Sequence, residues 1–324
     1  MKIMSRFKRC VHYVLNNPYA VFVYFNFTKI QRVLPDKSFM KLMVRARLGY
    51  KLNLENPRTF NEKMQWLKLY DRKPIYTQMV DKYEAKFLIS KKIGEEYVVP
   101  TFGVWDSFGE IDFDSLPDQF VLKTTHDCGG VIICKEKEKF DYETAKTDFT
   151  KRLKNNFFWQ GREWPYKNVK PRILAEKFLS ASNVSEDHFT YDPGMETGIT
   201  DYKIMCFNGK PFCCLVCMGR NSREGLHENF YDTEWNLLPF KRDNPQYKGE
   251  IKKPKNYEQM LHYAQELSEG TKFLRVDFFE NNGRLYVGEL TFFPASGFDK
   301  FIPEEWDLKL GEMIELDDYI MHDN

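Results

Sequence analysis

Apolar positions Phe60, Met64, Leu67 and Leu69 recur close to a 3.6-residue period, and Thr59 followed three residues later by Glu62 writes a capping-box start. The spacing predicts a helix over 60–70, entered from a polar connection at 53–59. A second helical run extends from 75 to 93 and stops at Gly94, a natural C-terminal terminator. Short apolar or alternating runs predict strands at 98–104, 119–124 and 131–135, then at 172–179, 202–208 and 212–218. Helical spacing returns at 142–155 and 257–267. The last two strands, 273–280 and 284–291, are joined by Asn281-Asn282-Gly283, a hairpin signal. Helices and hairpins interleave without a fixed repeat, so the pattern reads as α+β or mixed α/β, not an all-parallel sheet. Neither GxGxxG nor GxxxxGK[ST] occurs, which argues against a Rossmann unit or a P-loop.

Length and composition narrow the class. A chain of 324 residues with 42% hydrophobic and 29% charged residues has room for roughly two domains and a sizeable core. Lys+Arg number 48 against 47 Asp+Glu, a net charge of +1, so bulk charge does not equip the chain to coat nucleic acid. Seven cysteines in a chain this long read as reduced thiols of a cytoplasmic protein. Cys214 and Cys217 form a CxxC, but no second pair follows at zinc spacing. The alternation of Phe212, Cys214 and Val216 reads as a strand with buried structural thiols.

The N-terminal stretch has a composition of its own. No run of 18 apolar residues exists, and the segment 19–27 carries Asn26 and lacks a small-residue cleavage site, so neither an ordinary transmembrane helix nor a signal peptide is expected. Residues 1–35 hold Lys2, Arg6, Lys8, Arg9, Lys29 and Arg32, many aromatics, and no acid. Basic plus aromatic suits a segment lying on the anionic inner face of a membrane, or a helical cap on the main body.

Three segments concentrate chemistry. In the final hairpin, the period of two puts Arg275 and Asp277 on one face, and the returning strand can bring Glu289 opposite them. Two carboxylates with a guanidinium suit Mg²⁺ and phosphate; a surface hairpin with a screened ion pair is the plainer reading. In the second segment, an apolar strand delivers Lys123 to a small, polar loop, Thr124-Thr125-His126-Asp127-Cys128-Gly129-Gly130. Glycines let backbone N–H groups approach phosphate oxygens, and lysine supplies a point charge. The same residues also make an ordinary hairpin loop. In the third, Ile173-Leu174-Ala175-Glu176-Lys177-Phe178-Leu179, a strand runs into an extended linker where backbone groups can read an adenine.

Together and in this order, the segments resemble the ATP-grasp superfamily, with D-alanine:D-alanine ligases as the residue-by-residue comparison. Their arginine-valine-aspartate strand matches Arg275-Val276-Asp277, their metal glutamate matches Glu289, and their asparagine two positions on is Thr291 here, before Pro294-Ala295-Ser296-Gly297. The wider chain is similar to the TupA-like branch, found in cell-surface polysaccharide and teichuronopeptide gene contexts. Segments carrying that likeness include Asn56-Pro57-Arg58-Thr59-Phe60-Asn61-Glu62-Lys63, Asp201-Tyr202-Lys203, Phe230-Tyr231-Asp232 and Gly288-Glu289-Leu290-Thr291-Phe292.

The resemblance implies an α+β, ATP-grasp fold, two α+β subdomains gripping ATP, at 81–324, behind a helical N-terminal region at 1–80. It implies ATP and Mg²⁺, with Asp277, Glu289 and Thr291 at the metal; the change from asparagine to Thr291 leaves the number of metal sites open. Lys82, Lys123, Gly129 and Gly130 would serve the phosphates. Glu176, Lys177 and Leu179 would hold adenine, with Asp201 at the ribose and Lys203 at the nucleotide or at a strand end. Arg275, Lys123 and His126 would be catalytic, although His126 taken alone reads more readily as a loop histidine with a local hydrogen bond than as a base. Arg220 and Arg223 would meet an acceptor carboxylate, or belong to a solvated loop. The implied activity is carboxylate–amine ligation through an acyl phosphate on a small-molecule or glycan acceptor, a cell-surface polysaccharide uronic acid above all. Two alternatives stand beside it. One is a sugar-nucleotide glycosyltransferase, for which Asp112-Phe113-Asp114 is a formal DxD; the other is a non-catalytic nucleotide-binding partner.

Overall fold

The computed structural model describes residues 18–25, 29–179, 200–220, 222 and 225–316. Their helices are α1 (Asp36–Leu48), α2 (Phe60–Tyr70), α3 (Ile75–Val80), α4 (Glu84–Ile93), α5 (Tyr142–Leu153), α6 (Tyr257–Ser268) and α7 (Glu305–Glu312), besides short turns. Their strands are β1 (Thr101–Trp105), β2 (Phe120–Thr124), β3 (Val131–Cys134), β4 (Ile173–Lys177), β5 (Asp201–Phe207), β6 (Lys210–Met218), β7 (His227–Asp232), β8 (Phe273–Asn281) and β9 (Arg284–Thr291).

Helix α2 begins where its capping box says it must. The Thr59 hydroxyl accepts from the Glu62 N–H at 3.2 Å, and the Glu62 carboxylate accepts from the Thr59 N–H at 3.2 Å and the Arg58 N–H at 2.9 Å. The helical run read as continuous over 75–93 is two helices. Asp81 ends α3, donating its N–H to the Thr77 carbonyl at 3.3 Å, and its Oδ1 then accepts from the Tyr83 N–H at 2.9 Å. One aspartate therefore closes one helix and opens the next. The pattern of apolar positions runs across the break because both helices face the same core.

Two antiparallel sheets are formed, in the orders β1-β4-β2-β3 and β7-β6-β5-β8-β9. Each has its own core. Leu122 and Phe120 of the small sheet pack with Phe108, Phe149 and Ala145 under α5. In the larger sheet, Ile204, Cys206, Leu274 and Val276 turn toward α6, where the Cys206 thiol donates to the Ala264 carbonyl at 3.6 Å. On its other face Phe207 and Phe273 meet Phe60 of α2, with ring centroids 6.2 and 5.2 Å away. Helix α1, α2 and α3 thus share one core with the larger sheet.

Cys128, Cys134, Cys206, Cys213, Cys214 and Cys217 are free thiols, and Cys214 and Cys217 are buried strand residues. No helix among the described residues is long and apolar enough to cross a membrane. The basic aromatic stretch 1–17 lies outside the described residues.

Candidate active site

The hairpin of β8 and β9 turns at Asn282 and Gly283, both with positive φ (53° and 71°), as a tight two-residue turn of the mirror-image kind requires. Gly288 is an extra residue in β9: Asp277 pairs with Glu289, but Phe278 pairs with Val287. A methyl group at Gly288 would stand 2.3 Å from the Phe279 ring, so the bulge needs a glycine. The register it sets places Arg275 opposite Thr291 and Asp277 opposite Glu289.

One face of the larger sheet then becomes a row of charges. Arg275 grips Asp277 with two bonds, Nε to Oδ1 at 2.6 Å and Nη2 to Oδ2 at 2.7 Å, and also donates to the Thr291 hydroxyl at 3.2 Å. Glu289 lies farther off, 3.9 Å from the same guanidinium, and is the more exposed of the two acids. Lys203 stands in register with Asp277, its Nζ 2.5 Å from Oδ2 and 3.2 Å from Asp201. Burial alone pushes the Asp277 carboxyl up; Arg275 and Lys203 outweigh it and hold it below the usual aspartate range. Asp201 also meets Arg220 at 3.5 Å, an exposed side chain, whereas Arg223 lies outside the described residues. Farther along the same face, Arg242 joins Glu228 (2.6 Å) to Asp299 (2.9 Å), an ion triad that carries no sequence motif.

The small sheet offers the opposite sign. Val121, Lys123, Val131, Ile133, Leu174 and Glu176 share a face by register. Glu176 is locked between two cations, Lys123 at 2.5 Å and Lys86 at 2.6 Å. Burial raises its carboxyl, but the two lysines hold it below the usual glutamate range. Its side chain is therefore engaged within the protein, while Lys177 and Leu179 follow at the strand end, outside this ion group. Lys86, in the first turn of α4, was not read from sequence. Val131 and Ile133 are exposed apolar side chains, at 44% and 45%, beside Lys123.

Between β2 and β3 the loop is tightly built. The Thr124 hydroxyl donates to the Asp127 carboxylate, and the Thr124 N–H donates to the Gly130 carbonyl at 2.9 Å. Gly129 takes a φ of 82°, and a Cβ on Gly130 would fall 1.8 Å from the Thr124 hydroxyl. Lys82 grips the loop twice, by its N–H to the Thr125 carbonyl at 3.1 Å and by its ammonium to the Asp127 carbonyl. His126 is buried, with Nε2 3.1 Å and 3.2 Å from the Arg152 and Asn155 carbonyls at the end of α5. That position ties the loop to a helix, the local hydrogen-bonding role.

Cys128 is an exposed thiol at the loop tip, raised by partial desolvation, with Glu289 and Glu163 adding to the rise and Lys82 and Arg275 opposing it. A loop residue of the small sheet thus senses both the acid and the guanidinium of the β8–β9 ribbon. Glu163 and Tyr166, which no motif marked, feel the same Glu289 and Arg275. Among the described residues, no set of three or more His, Cys, Asp or Glu side chains is gathered closely enough to hold a metal by itself. By contrast, Asp112 of the formal DxD accepts from the Asp114 and Ser115 N–H groups, at 3.2 and 3.4 Å, and so caps its own exposed turn.

Among solved structures, similar chains include D-alanine–D-alanine ligases of Bacillus anthracis (15% identity, 71% of this chain and 58% of that one, TM-score 0.35) and Helicobacter pylori (14%, 80% and 68%, TM-score 0.41). The ATP-grasp ligase PsnB, solved with minimal precursor variant, Mg and ADP, is similar at 10% identity over 79% of this chain and 60% of that one, with a TM-score of 0.37. This chain therefore spans less than two thirds of the length of the first of these ligases. None of the curated proteins matches it. The model of the TupA-like ATP-grasp family matches residues 62–315, from α2 past α7 and through every charged group described above, so the chain belongs to that family.

Proposed function

We propose that this protein is an ATP-dependent carboxylate–amine ligase that activates its acid as an acyl phosphate, with a uronic acid of a cell-surface polysaccharide as the acid. The observation that carries the reading is the row of Arg275, Asp277, Glu289 and Lys203 along one face of the larger sheet, in a chain whose smaller sheet carries Lys123 and whose Lys82 holds the Gly129-Gly130 loop. A triphosphate held there would have cations on one side and acids able to share a dication on the other. Phosphoryl transfer asks a protein chiefly for such positioning and charge neutralisation.

In this reading Lys82 and Lys123 serve the phosphates, beneath the Gly129-Gly130 loop. Val131 and Ile133 cover the purine, and Lys177 and Leu179 lie at its edge. Glu176 acts by fixing Lys123 and Lys86. The donors at the ribbon fit a hard dication, since Asp277 and Glu289 offer carboxylate oxygens and Mg²⁺ commonly takes one or two of these with substrate phosphates. Bound Mg²⁺ would neutralise phosphate charge at Asp277, Glu289 and Thr291. Lys203 now occupies the Asp277 oxygen at 2.5 Å, keeping that carboxylate ionised and in place. Arg275 orients the transferred phosphoryl, and Arg220 and Arg223 meet an acceptor carboxylate. Peripheral membrane contact through residues 1–35 is part of the proposal and rests on their composition; liposome flotation with and without them tests it.

The site is tested with Glu289→Ala. Supplied with ATP, Mg²⁺, a panel of uronic acids and primary amines, the variant should release no ADP while melting like the parent, and mass spectrometry of the wild-type reactions identifies the amide. Wild-type turnover by the variant would refute the assignment.

A further inference from the structure

Ile30 and Val33 stand 66% and 82% exposed, more than any other large apolar side chain among the described residues. They belong to a tight helical turn, Lys29–Val33, of the three-residue kind, in which positions i and i+3 point the same way. Single exposed aliphatic side chains are ordinary, whereas two on one side of a fixed turn make a patch. This turn is fixed from inside. Gln31 is buried, and its Nε2 donates to the Trp159 carbonyl at 2.9 Å. Arg162, with no exposed surface, donates from Nη2 to the Gln31 carbonyl at 2.8 Å and the Leu34 carbonyl at 3.4 Å, and its Nε lies 3.1 Å from Asp36. The Phe39 and Trp159 rings flank the same guanidinium, at 4.4 and 4.5 Å. A fully buried arginine thus secures a turn that presents two aliphatic side chains to solvent.

Charge selects the occupant. Helix α1 follows the turn, and Lys37, Lys41 and Arg45 repeat every four residues along its exposed side, while Phe39, Met40, Met43 and Val44 are buried. Arg45 lies over the exposed Tyr19 ring at 5.7 Å. Asp36, the one acid of residues 1–48, is already engaged by Arg162 and Arg72. Ten of the 48 basic residues fall in that same stretch, so the remainder of the chain is net acidic. A partner for this surface must be anionic and must offer an apolar layer to Ile30 and Val33. A bilayer of acidic phospholipids has both, phosphates at the surface and acyl chains just beneath. Nucleic acid has the phosphates without the aliphatic layer. A second copy of the chain, meeting this one symmetrically, would bring the same positive stripe against it.

We infer that the Lys29–Val33 turn and the Lys37, Lys41 and Arg45 stripe of α1 form a docking face for an anionic lipid bilayer. Ile30 and Val33 enter the boundary between headgroups and acyl chains, and the basic side chains lie on lipid phosphates. This face rests on the membrane contact proposed above, to which it gives a folded surface and a lipid chemistry, and it is independent of the ligase chemistry. Arg162 holds the turn and the start of α1 together, so the face is preformed and loses little backbone freedom on docking. Attraction to the phosphates falls with salt, while the aliphatic pair contributes a part that salt leaves in place.

The test uses the full-length chain. Wild type, the double variant Ile30→Ser with Val33→Ser, and the double variant Lys37→Gln with Lys41→Gln are floated with vesicles of phosphatidylcholine alone or mixed equally with phosphatidylglycerol. Wild type should bind the mixed vesicles and not the neutral ones. The serine pair should bind about tenfold more weakly, through lost apolar contact, and the glutamine pair about ten- to thirtyfold more weakly, at about fivefold per lysine. All four side chains are exposed, so both variants should melt like the parent; if one does not, the other decides. Unchanged vesicle affinity in the folded variants would overturn this face and leave the membrane contact to residues 1–17. Equal binding of wild type to neutral vesicles would overturn the anionic-lipid chemistry. A wild-type dimer in sedimentation velocity that the serine pair disperses would assign the face to a second copy, and tighter binding to polyuridylate than to mixed vesicles would assign it to nucleic acid; either overturns the lipid face. Absence of wild-type binding to both vesicles would remove the membrane reading and this face together.

Discussion

Lys203 and Asp277 sit in register on neighbouring strands, Nζ 2.5 Å from Oδ2, with Asp277 only 2% exposed. Asp277 serves two cations at once, since Arg275 binds it through two further bonds. Asp277→Asn would leave both of these buried cations undercompensated. Removing one member of a buried charge group costs about 3–5 kcal/mol. Denaturant unfolding should therefore show a clear loss of stability for Asp277→Asn, unlike the more exposed Glu289→Ala. Equal midpoints for the two variants would contradict this.

Glu176 supplies a pH test. Its folded carboxyl lies below the usual glutamate value of 4.5, because Lys123 and Lys86 outweigh its burial. A depressed carboxyl contributes its stability above the unfolded value and loses it as pH falls through the folded one. Glu176→Gln should therefore be less stable than wild type by about 3 kcal/mol at neutral pH, in the range for breaking a buried pair. The gap should close below pH 4.5. Melting curves across pH 3 to 7 check it, and a gap independent of pH would exclude the assigned cause.

Adjacent glycines should answer differently to alanine. At Gly130 a methyl group would collide with the Thr124 hydroxyl at 1.8 Å and the Asp127 carboxylate at 2.6 Å, whereas Gly129 has open space and only a positive φ to lose. Gly130→Ala should cost about 1–3 kcal/mol through overpacking and weaken ATP binding. Gly129→Ala should cost about 1 kcal/mol for the left-handed conformation. Calorimetric titration with ATP and thermal melting of the two variants make the comparison.

Thr59→Ala removes half of the capping box of α2, the helix whose Phe60 lies against Phe273. An N-cap loss of about 1 kcal/mol is expected, read by denaturant midpoint. An unchanged midpoint would mean that packing, not the cap, defines this helix end.

What could be read beforehand divides along physical lines. Helix α2 and the β8–β9 ribbon were legible nearly to the residue, because a capping box and an Asn-Gly turn are local signals. The pairing of Asp277 with Glu289 was also legible as a shared face, but the Gly288 bulge that produces it was not. Strand β7 went unread because its inward positions include Glu228, a charge that periodicity assigns to solvent until Arg242 is found beside it. Helix α1 was read only as part of a helical region at 1–80, and α7 was missed. Glu163 and Ser296 meet across 133 positions of sequence, a distance at which no spacing rule operates. The role of Glu176 shows the other limit: its motif was visible, but its commitment to Lys86 appears only when α4 is placed against β4.

The small sheet has a hydrophobic core of its own, and the links between it and the α3–α4 corner are polar: Arg172 with Asp81 and Glu84, both at 2.8 Å, Lys86 with Glu176, and Lys82 with the Thr125 and Asp127 carbonyls. Parting that seam would expose little oily surface and would mostly exchange protein charges for water. Most of these charges are shielded from solvent, and dissolved ions screen shielded contact pairs far less than exposed, distant ones, so salt loosens this joint only slightly.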